Sequence, residues 1–240
     1  MNITTEQMRF WSPEVRELEP YTPGEQPKIQ NIWKLNTNEN PYPPSPKVVE
    51  AVQKVLANSA DVLRLYPDPD ASELKQAIAK QQHVPVETVF VGNGSDEVLA
   101  HIFKAFFVQK QPLLYPDITY SFYPVYSQFF GVKTKILPLN DDFEIVVDDY
   151  KQANGGIIIT NPNAPTSIDL GLAAIEEILQ ANPDSVVVID EAYVDFGAES
   201  AVKLVEKYEN LVVCQTTSKS RSLAGLRVGF AIAQSHLIAA

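Results

Sequence analysis

Seven short apolar runs recur between residues 89 and 232, and they constrain the fold more than any other feature of this sequence. Segments with helical spacing of apolar residues lie between them. The runs are continuous rather than alternating, which indicates strands that are covered on both faces. We therefore predict an α/β fold in which a mostly parallel seven-stranded sheet lies between helices. The predicted strands are Val89–Val91, Leu113–Tyr115, Ile136–Leu137, Ile157–Ile159, Val186–Ile189, Leu211–Val213 and Val228–Ile232.

Two helices are predicted ahead of the sheet. Ser45 is a good helix cap, Pro46 suits the first helical position, and apolar residues then recur at helical spacing. A second helix is expected to begin at Asp70, because Asp70 and Glu73 have the spacing of a capping box. The segment 21–44 is rich in proline and asparagine, so we expect an extended arm or a binding loop there.

Charge and composition exclude several classes of protein. The 240 residues carry a formal net charge of −11, and the 19 basic residues are scattered, which argues against nucleic acid or an anionic membrane as partner. The one cysteine, Cys214, lies in an apolar run and is expected to be a buried hydrophobic residue. With neither an apolar leader nor a membrane-length segment, we expect a cytoplasmic protein. His83, His101 and His236 lack the spacing of a metal site.

Polar residues follow several of the predicted strands at the point where each strand ends. In a parallel sheet these ends meet at one edge, and ligands bind there. We therefore expect the polar clusters to come together as one ligand site. The clusters are Gly92–Glu97, Asn161–Ser167, Asp190–Tyr193 and Thr216–Lys219.

A lysine stands between small hydroxyl residues just after the sixth run. Lys219 follows Ser218 and precedes Ser220, and Arg227 comes eight positions later. A desolvated lysine near other cations can present a neutral amine that attacks a carbonyl. Lys219 is therefore the candidate nucleophile, and the alternative is an ordinary loop lysine.

Two further features are suited to binding an anionic ligand. The turn Gly92–Glu97 opens a helix and would present backbone N–H groups to an anion, although such a turn can also be only a helix cap. Ser218 and Arg227 would add a hydroxyl and a guanidinium to the same anion.

The last predicted part is a buried carboxylate. Asp190 follows four β-branched residues and needs a cationic partner, either a protonated ring nitrogen or a structural arginine. A carboxylate, a phosphate site and a lysine nucleophile are the parts that hold pyridoxal 5′-phosphate (PLP).

These motifs carry a resemblance that extends over residues 35–227. The chain resembles the fold-type-I PLP-dependent aminotransferases, and within them the class II histidinol-phosphate aminotransferases. The Asp-Glu-Ala-Tyr motif and the Ser-Lys pair with its later arginine are the most specific parts. The matching segments, in family order, are Leu35–Pro41, Tyr66–Pro67, Gly92–Glu97, Thr119–Tyr123, Asn161–Thr166, Asp190–Tyr193 and Ser218–Arg227.

The resemblance implies a role for each matching residue. Lys219 would bond to the cofactor aldehyde and move the substrate proton, Asp190 would keep the ring nitrogen protonated, and Tyr193 would hydrogen-bond the ring hydroxyl. These three form the implied catalytic set. Tyr120 would stack on the ring, and Tyr66 would reach the phosphate of the neighbouring subunit in a homodimer with shared sites. The implied cofactor-binding set is Tyr66, Ser95, Asp96, Tyr120, Asn163, Asp190, Tyr193, Thr216, Ser218, Lys219 and Arg227.

The sequence departs from the family pattern at two positions of one loop. The family usually has asparagine where Ala164 stands, so its hydrogen bond to the cofactor must come from Asn163, from Asn161, or be absent. We favour Asn163. Ser167 stands where glycine is usual, which alters the turn.

The resemblance also implies a domain organisation. Residues 1–60 would form an N-terminal arm and the start of a small domain, and residues 61–240 the PLP-binding large domain. Family members continue beyond the position of Ala240. We therefore expect the small domain to be incomplete in this sequence, because its C-terminal part is missing. Asn38 and Glu39, in the arm, would border the substrate.

The implied reaction is a transamination of histidine biosynthesis. PLP would carry the amino group of histidinol phosphate to 2-oxoglutarate, which gives imidazole-acetol phosphate and glutamate. In the biosynthetic direction the reaction runs in reverse. The alternatives are an aromatic amino-acid aminotransferase, a threonine-phosphate decarboxylase-like PLP enzyme, and a non-catalytic aminotransferase-like binding domain.

Overall fold

A seven-stranded sheet is the centre of the fold. The computed structural model describes residues 7–18, 24–25, 29, 32, 34–58, 62 and 64–240. The strands are β1 (Val89–Asn93), β2 (Leu113–Pro116), β3 (Thr134–Leu137), β4 (Gly156–Thr160), β5 (Val187–Asp190), β6 (Leu211–Thr216) and β7 (Val228–Ala233). The α-helices are α1 (Pro13–Glu17), α2 (Pro46–Asn58), α3 (Ser72–Gln82), α4 (Ser95–Phe106), α5 (Tyr123–Phe130), α6 (Leu172–Ala181) and α7 (Ser235–Ile238). Short 3₁₀ helices cover Gln7–Phe10, Val86–Thr88, Val147–Tyr150, Val194–Phe196, Ala201–Leu204 and Ala224–Leu226.

The order of the strands confirms the predicted, mostly parallel sheet. The strands lie in the order β1-β7-β6-β5-β4-β2-β3. Strand β7 runs antiparallel to both of its neighbours, β1 and β6, whereas the other neighbouring pairs are parallel. The amino-terminal end of β7 therefore lies at the same edge as the carboxyl ends of the other strands. This reversal brings the residues just before β7 to the ligand edge.

Apolar residues cover both faces of the sheet, as the continuous runs predicted. Ile157 and Ile159 of β4 lie in one apolar cluster with residues of α3 and α6, and Ile158 lies in the other with residues of α4 and α5. Successive side chains of a strand point to opposite faces, so a strand between two helical layers must be apolar throughout. At the sheet edge β3 differs, because Leu137 is its buried residue and Ile136 is exposed.

The cap of helix α3 differs from the prediction. The expected capping box at Asp70 and Glu73 is wrong, since the Asp68 carboxylate accepts the backbone N–H groups of Asp70 at 3.0 Å and Ser72 at 2.8 Å. The chain passes through Ala71 with a φ of 48° before the helix begins at Ser72. Because of this left-handed residue, the capping side chain is Asp68, two residues before the predicted Asp70.

Helix α2 forms where it was predicted, but its apolar residues are exposed. Between 44% and 57% of the surface of Val49, Val52, Val55 and Leu56 is accessible. The division of the chain at residue 60 into an arm and a large domain stays a prediction. Among the described helices, none is long and apolar enough to span a bilayer.

Candidate active site

A cavity of about 410 Å³ opens at the carboxyl edge of the sheet. Residues from the ends of β4, β5 and β6 line it, together with the start of α4 and the turn before β7. It collects nine of the eleven residues predicted to hold a cofactor, as the rule for parallel sheets led us to expect. These nine are Ser95, Asp96, Tyr120, Asp190, Tyr193, Thr216, Ser218, Lys219 and Arg227.

The anion-binding side of the cavity is built from the first turn of α4 and the turn before β7. Gly94 precedes the helix with a φ of 88°, which favours glycine, and Ser95 is the first helical residue. The Asp96 carboxylate accepts hydrogen bonds from the Tyr120 hydroxyl at 2.9 Å and from Arg227 Nη2 at 3.0 Å. The free N–H groups of the helix and the guanidinium of Arg227 make this side attractive to a phosphate.

Gly229 allows the two turns of the anion-binding side to touch. A Cβ atom at this position would lie 2.2 Å from the backbone nitrogen of Ser95 and 2.3 Å from the carbonyl carbon of Gly94. Both neighbours are backbone atoms, so they cannot rotate away. The approach of β7 to the start of α4 therefore requires glycine.

We expect Gly229→Ala to destabilise the protein by about 1–3 kcal/mol, because the added methyl overpacks this contact. Urea unfolding of the variant measures the effect. The control is Gly225→Ala, in the turn before β7, where an added Cβ meets nothing within 4 Å. Equal stability of the two variants would contradict the steric argument.

Asp190 ends β5 as a buried carboxylate with one oxygen unpaired. Its Oδ2 accepts the Tyr123 hydroxyl at 2.9 Å, and its Oδ1 has no hydrogen-bond partner among the described residues. Burial raises the pKa of Asp190 to about 6, while the bond from Tyr123 acts in the opposite direction. Among the described residues, no arginine is hydrogen-bonded to Asp190, so the structural ion pair considered as the alternative is not formed. An unpaired buried oxygen is costly unless a donor from a ligand fills it.

Glu191, the next residue, is buried in a separate network. Its carboxylate accepts hydrogen bonds from the Ser200 hydroxyl and the Ala201 N–H, both at 2.6 Å, and from Gln215 Nε2 at 2.7 Å. Burial raises the pKa of Glu191 to about 7, against the effect of these bonds. The network ties the loop after β5 to the end of β6.

The N-terminal segment lies over Lys219. The Lys219 Nζ donates to the Thr37 carbonyl at 3.0 Å and lies 5.7 Å from the centre of the Tyr193 ring. Asn38 Nδ2 donates to the Tyr193 hydroxyl at 3.0 Å, and Asn40 Nδ2 to the Lys219 carbonyl at 3.2 Å. The predicted nucleophile, the predicted ring-hydroxyl partner and the arm are thus in contact.

Comparison with known proteins agrees with this arrangement. Residues 30–240 match the family model of class I and II aminotransferases. The chain belongs to this family.

Named relatives are close to this chain in sequence. A histidinol-phosphate aminotransferase from Acinetobacter baumannii is 82% identical over all 240 residues, and the chain covers 66% of that protein. Histidinol-phosphate aminotransferase 2 from Dechloromonas aromatica is 63% identical over 97% of the chain and 65% of its own length. The chain thus spans slightly less than two thirds of these curated relatives.

A solved structure shares the fold. The histidinol-phosphate aminotransferase from Sinorhizobium meliloti, solved in complex with pyridoxal-5′-phosphate, has a TM-score of 0.73 and 22% identity. The match covers 84% of this chain and 56% of that one. It supports the fold-type-I assignment made from the sequence.

Asn163 does not line this cavity, but it lines a neighbouring one together with Tyr193 and Lys219. Its side-chain oxygen accepts the Thr160 hydroxyl at 2.6 Å, and its amide nitrogen donates to the Ile118 carbonyl at 2.9 Å. Asn161 is likewise bonded to Asp169. Ala164 lines the cavity in their place.

Two other residues singled out in the sequence take distinct positions. Ser167 has a φ of 63°, which explains why glycine is usual there. Tyr66 is fully exposed and lies outside the cavity lining. Its contact with a neighbouring subunit stays a prediction.

Some lining residues were not predicted. Thr37 and Thr160 contribute polar groups to the wall, and Leu99 contributes an apolar one. Thr160 is the last residue of β4, so the edge rule could have found it. Tyr123, which does not line the cavity but is hydrogen-bonded to Asp190, was noted in the sequence only as part of the motif Thr119–Tyr123 and was given no role. In the described ranges no group of histidine, cysteine or acidic side chains is placed to hold a metal ion.

Proposed function

We propose that this chain is the PLP-binding part of a histidinol-phosphate aminotransferase. The observation that carries the proposal is the buried, unpaired Oδ1 of Asp190 in a cavity that also holds Lys219 and the anion-binding turns. A phosphorylated pyridine aldehyde has the three complementary groups: a ring nitrogen, an aldehyde and a phosphate. The residues present therefore fit the cofactor.

The chemistry of the bound group is general. PLP supplies an electrophilic aldehyde and a protonated pyridine ring that stabilises negative charge on the substrate carbon. Lys219 would provide the amine that bonds to the aldehyde, and the same amine would accept the proton from the substrate carbon. Asp190 would pair with the ring nitrogen and favour its protonated form. Tyr193 would donate to the ring hydroxyl, and Ala164, which lines the same cavity, offers no side-chain donor.

The remaining cavity residues bind and orient. The Ser95 turn, Ser218 and Arg227 hold the phosphate, with Thr216 supporting Ser218 through a hydrogen bond of 3.0 Å between their hydroxyls. Tyr120 is fixed by its bond to Asp96 and offers its ring as a stacking surface.

The substrates follow from the relatives. The close relatives are named for histidinol phosphate, which supports that compound as a substrate. The proposal adds glutamate as amino donor and imidazole-acetol phosphate as acceptor in the biosynthetic direction. We include in the proposal a cytoplasmic homodimer in which Tyr66 reaches the partner's phosphate site. The full exposure of Tyr66 is consistent with that role.

The test is the absorption spectrum of the purified chain with PLP, before and after histidinol phosphate is added. We expect the visible band of lysine-bound cofactor to form and then convert to the spectrum of aminated cofactor. A chain that never forms the band would overturn the proposed cofactor. A band that histidinol phosphate leaves unchanged would mean either that the proposed substrate is wrong or that the chain, which spans 66% of a close relative, is too short to act on it.

The same assay separates the alternatives. Conversion by an aromatic amino acid, but not by histidinol phosphate, would favour an aromatic aminotransferase. Release of carbon dioxide from threonine phosphate would favour the decarboxylase. No described observation favours either over the first proposal.

A further inference from the structure

Tyr123 is a buried residue to which the proposed function gives no role. It is the first residue of α5 and has no accessible surface. Its hydroxyl lies 2.9 Å from Oδ2 of Asp190, which is itself 4% exposed. The two residues are far apart in sequence, so only the fold brings them together.

The hydrogen bond makes the two oxygens of Asp190 unequal. Oδ2 is occupied by the Tyr123 hydroxyl, whereas Oδ1 is buried without a partner. A carboxylate fixed at one oxygen cannot rotate freely about its Cβ–Cγ bond. The unpaired oxygen is therefore held in one direction.

Packing fixes the donor as well. The Tyr123 ring makes edge contacts with Tyr120 at 5.5 Å and Tyr115 at 6.0 Å between ring centres, and it lies 6.0 Å from Phe103. Aromatic pairs of this kind restrict ring orientation. These contacts thus hold the hydroxyl beside Asp190.

We infer that Tyr123 is a positioning residue for the proposed PLP site, where its hydroxyl keeps Asp190 ionised and directs the free oxygen to a cationic ring nitrogen. The inference rests on the proposed function. Tyr123 would act only through Asp190, since it is absent from the cavity lining.

The electrostatics of the site agree with this role. Burial raises the pKa of Asp190 to about 6, and the hydrogen bond from Tyr123 is the main opposing influence. A hydrogen bond to the charged form favours that form, so its loss should raise the pKa of Asp190 further. Among the described residues, the other ionisable groups that interact with Asp190 or line its cavity are Glu39, Asp96, Tyr120, Tyr126, Glu191, Tyr193, Cys214, Lys219 and Arg227. They are the same in wild type and variant, so the difference between the two proteins isolates Tyr123.

The experiment measures the affinity of pyridoxamine 5′-phosphate for wild type and Tyr123→Phe between about pH 5 and pH 9. This ligand has no aldehyde, so covalent bonding to Lys219 does not enter. As the pH is lowered, we expect the affinity of the variant to fall at a pH about one unit higher than that of wild type, so that the variant binds roughly fivefold more weakly near pH 6. The ratio of the two affinities should approach one as the pH rises, because Asp190 then ionises in both proteins.

Two variants control for loosened packing. Tyr126→Phe removes a hydroxyl from the same helix, one that donates to the Asp96 carbonyl at 2.7 Å, and should leave the pH midpoint unchanged. Asp190→Asn should remove the midpoint, and Tyr123→Phe added to it should have no further effect on the pH profile.

The outcomes separate the inference from the function on which it rests. If wild type binds the ligand and Tyr123→Phe gives the same profile, or one weaker by a constant factor at every pH, the inference is wrong. An equal shift in Tyr126→Phe would also overturn it. If wild type does not bind the ligand at all, the proposed function fails and the inference with it.

Discussion

Replacement of Lys219 by alanine is expected to abolish covalent attachment of PLP. The lysine amine is the group in the cavity that can bond to the aldehyde, and it already lies beside Tyr193 and the Thr37 carbonyl. Without it the phosphate turns and Asp190 can still hold the cofactor, but only non-covalently. The visible band should be lost, and passage through a desalting column should remove the cofactor.

The variant would also lose the proposed acid–base group. A positioned general acid or base typically contributes about 10²–10⁴ to the rate, so conversion of cofactor by substrate should slow by at least that factor. Reverse-phase chromatography of the denatured protein can quantify bound cofactor after borohydride reduction. The control is Lys203→Ala, because Lys203 is an exposed lysine paired with Glu199. A Lys219→Ala protein that still retains reduced cofactor would contradict the assignment.

The second large effect concerns stability and pH. Burial raises the pKa of Glu191 from 4.5 to about 7. The folded chain therefore holds a proton at pH values where the unfolded chain has lost it. Under proton linkage, stability then falls as the pH rises from about 4.5 through about 7. A shift of this size corresponds to about 3 kcal/mol, as an upper figure.

Urea unfolding of wild type and Glu191→Gln across this pH range measures the effect. Glutamine keeps an oxygen that can accept the Ala201 N–H but cannot ionise. The two proteins should have similar stability near pH 5, and the variant should become more stable by about 2–3 kcal/mol towards pH 8. Asp190 contributes a slope of the same sign to both proteins and cancels in the difference. Parallel curves would show that Glu191 does not titrate in this range.

The strands and their common edge could be predicted from the sequence because the signal is local. Continuous apolar runs such as Ile157–Ile159 report burial on both faces, and the residue after each run marks the edge. The position of Lys219 then follows from the sheet geometry. The antiparallel direction of β7 was not predicted, although it is what places Arg227 beside the start of α4.

Interactions between distant segments could not be predicted. The bond between Tyr123 and Asp190 depends on how α5 packs against the sheet, and no spacing encodes it. Asn163 was favoured as the replacement for the usual asparagine, and the loop conformation directs its amide to Thr160 and Ile118. The cap at Asp68 was missed because the left-handed turn at Ala71 changes the register.

Strand β1 has a consequence for how the protein folds. It lies at the edge of the sheet, and its hydrogen-bonded neighbour is β7, the last strand in the sequence. Gly92 of β1 pairs with Gly229, so the phosphate side of the cavity exists only after these segments meet. Closing a loop over so many residues carries an entropic cost. We therefore expect cofactor affinity in this chain to report whether β1 and β7 have paired.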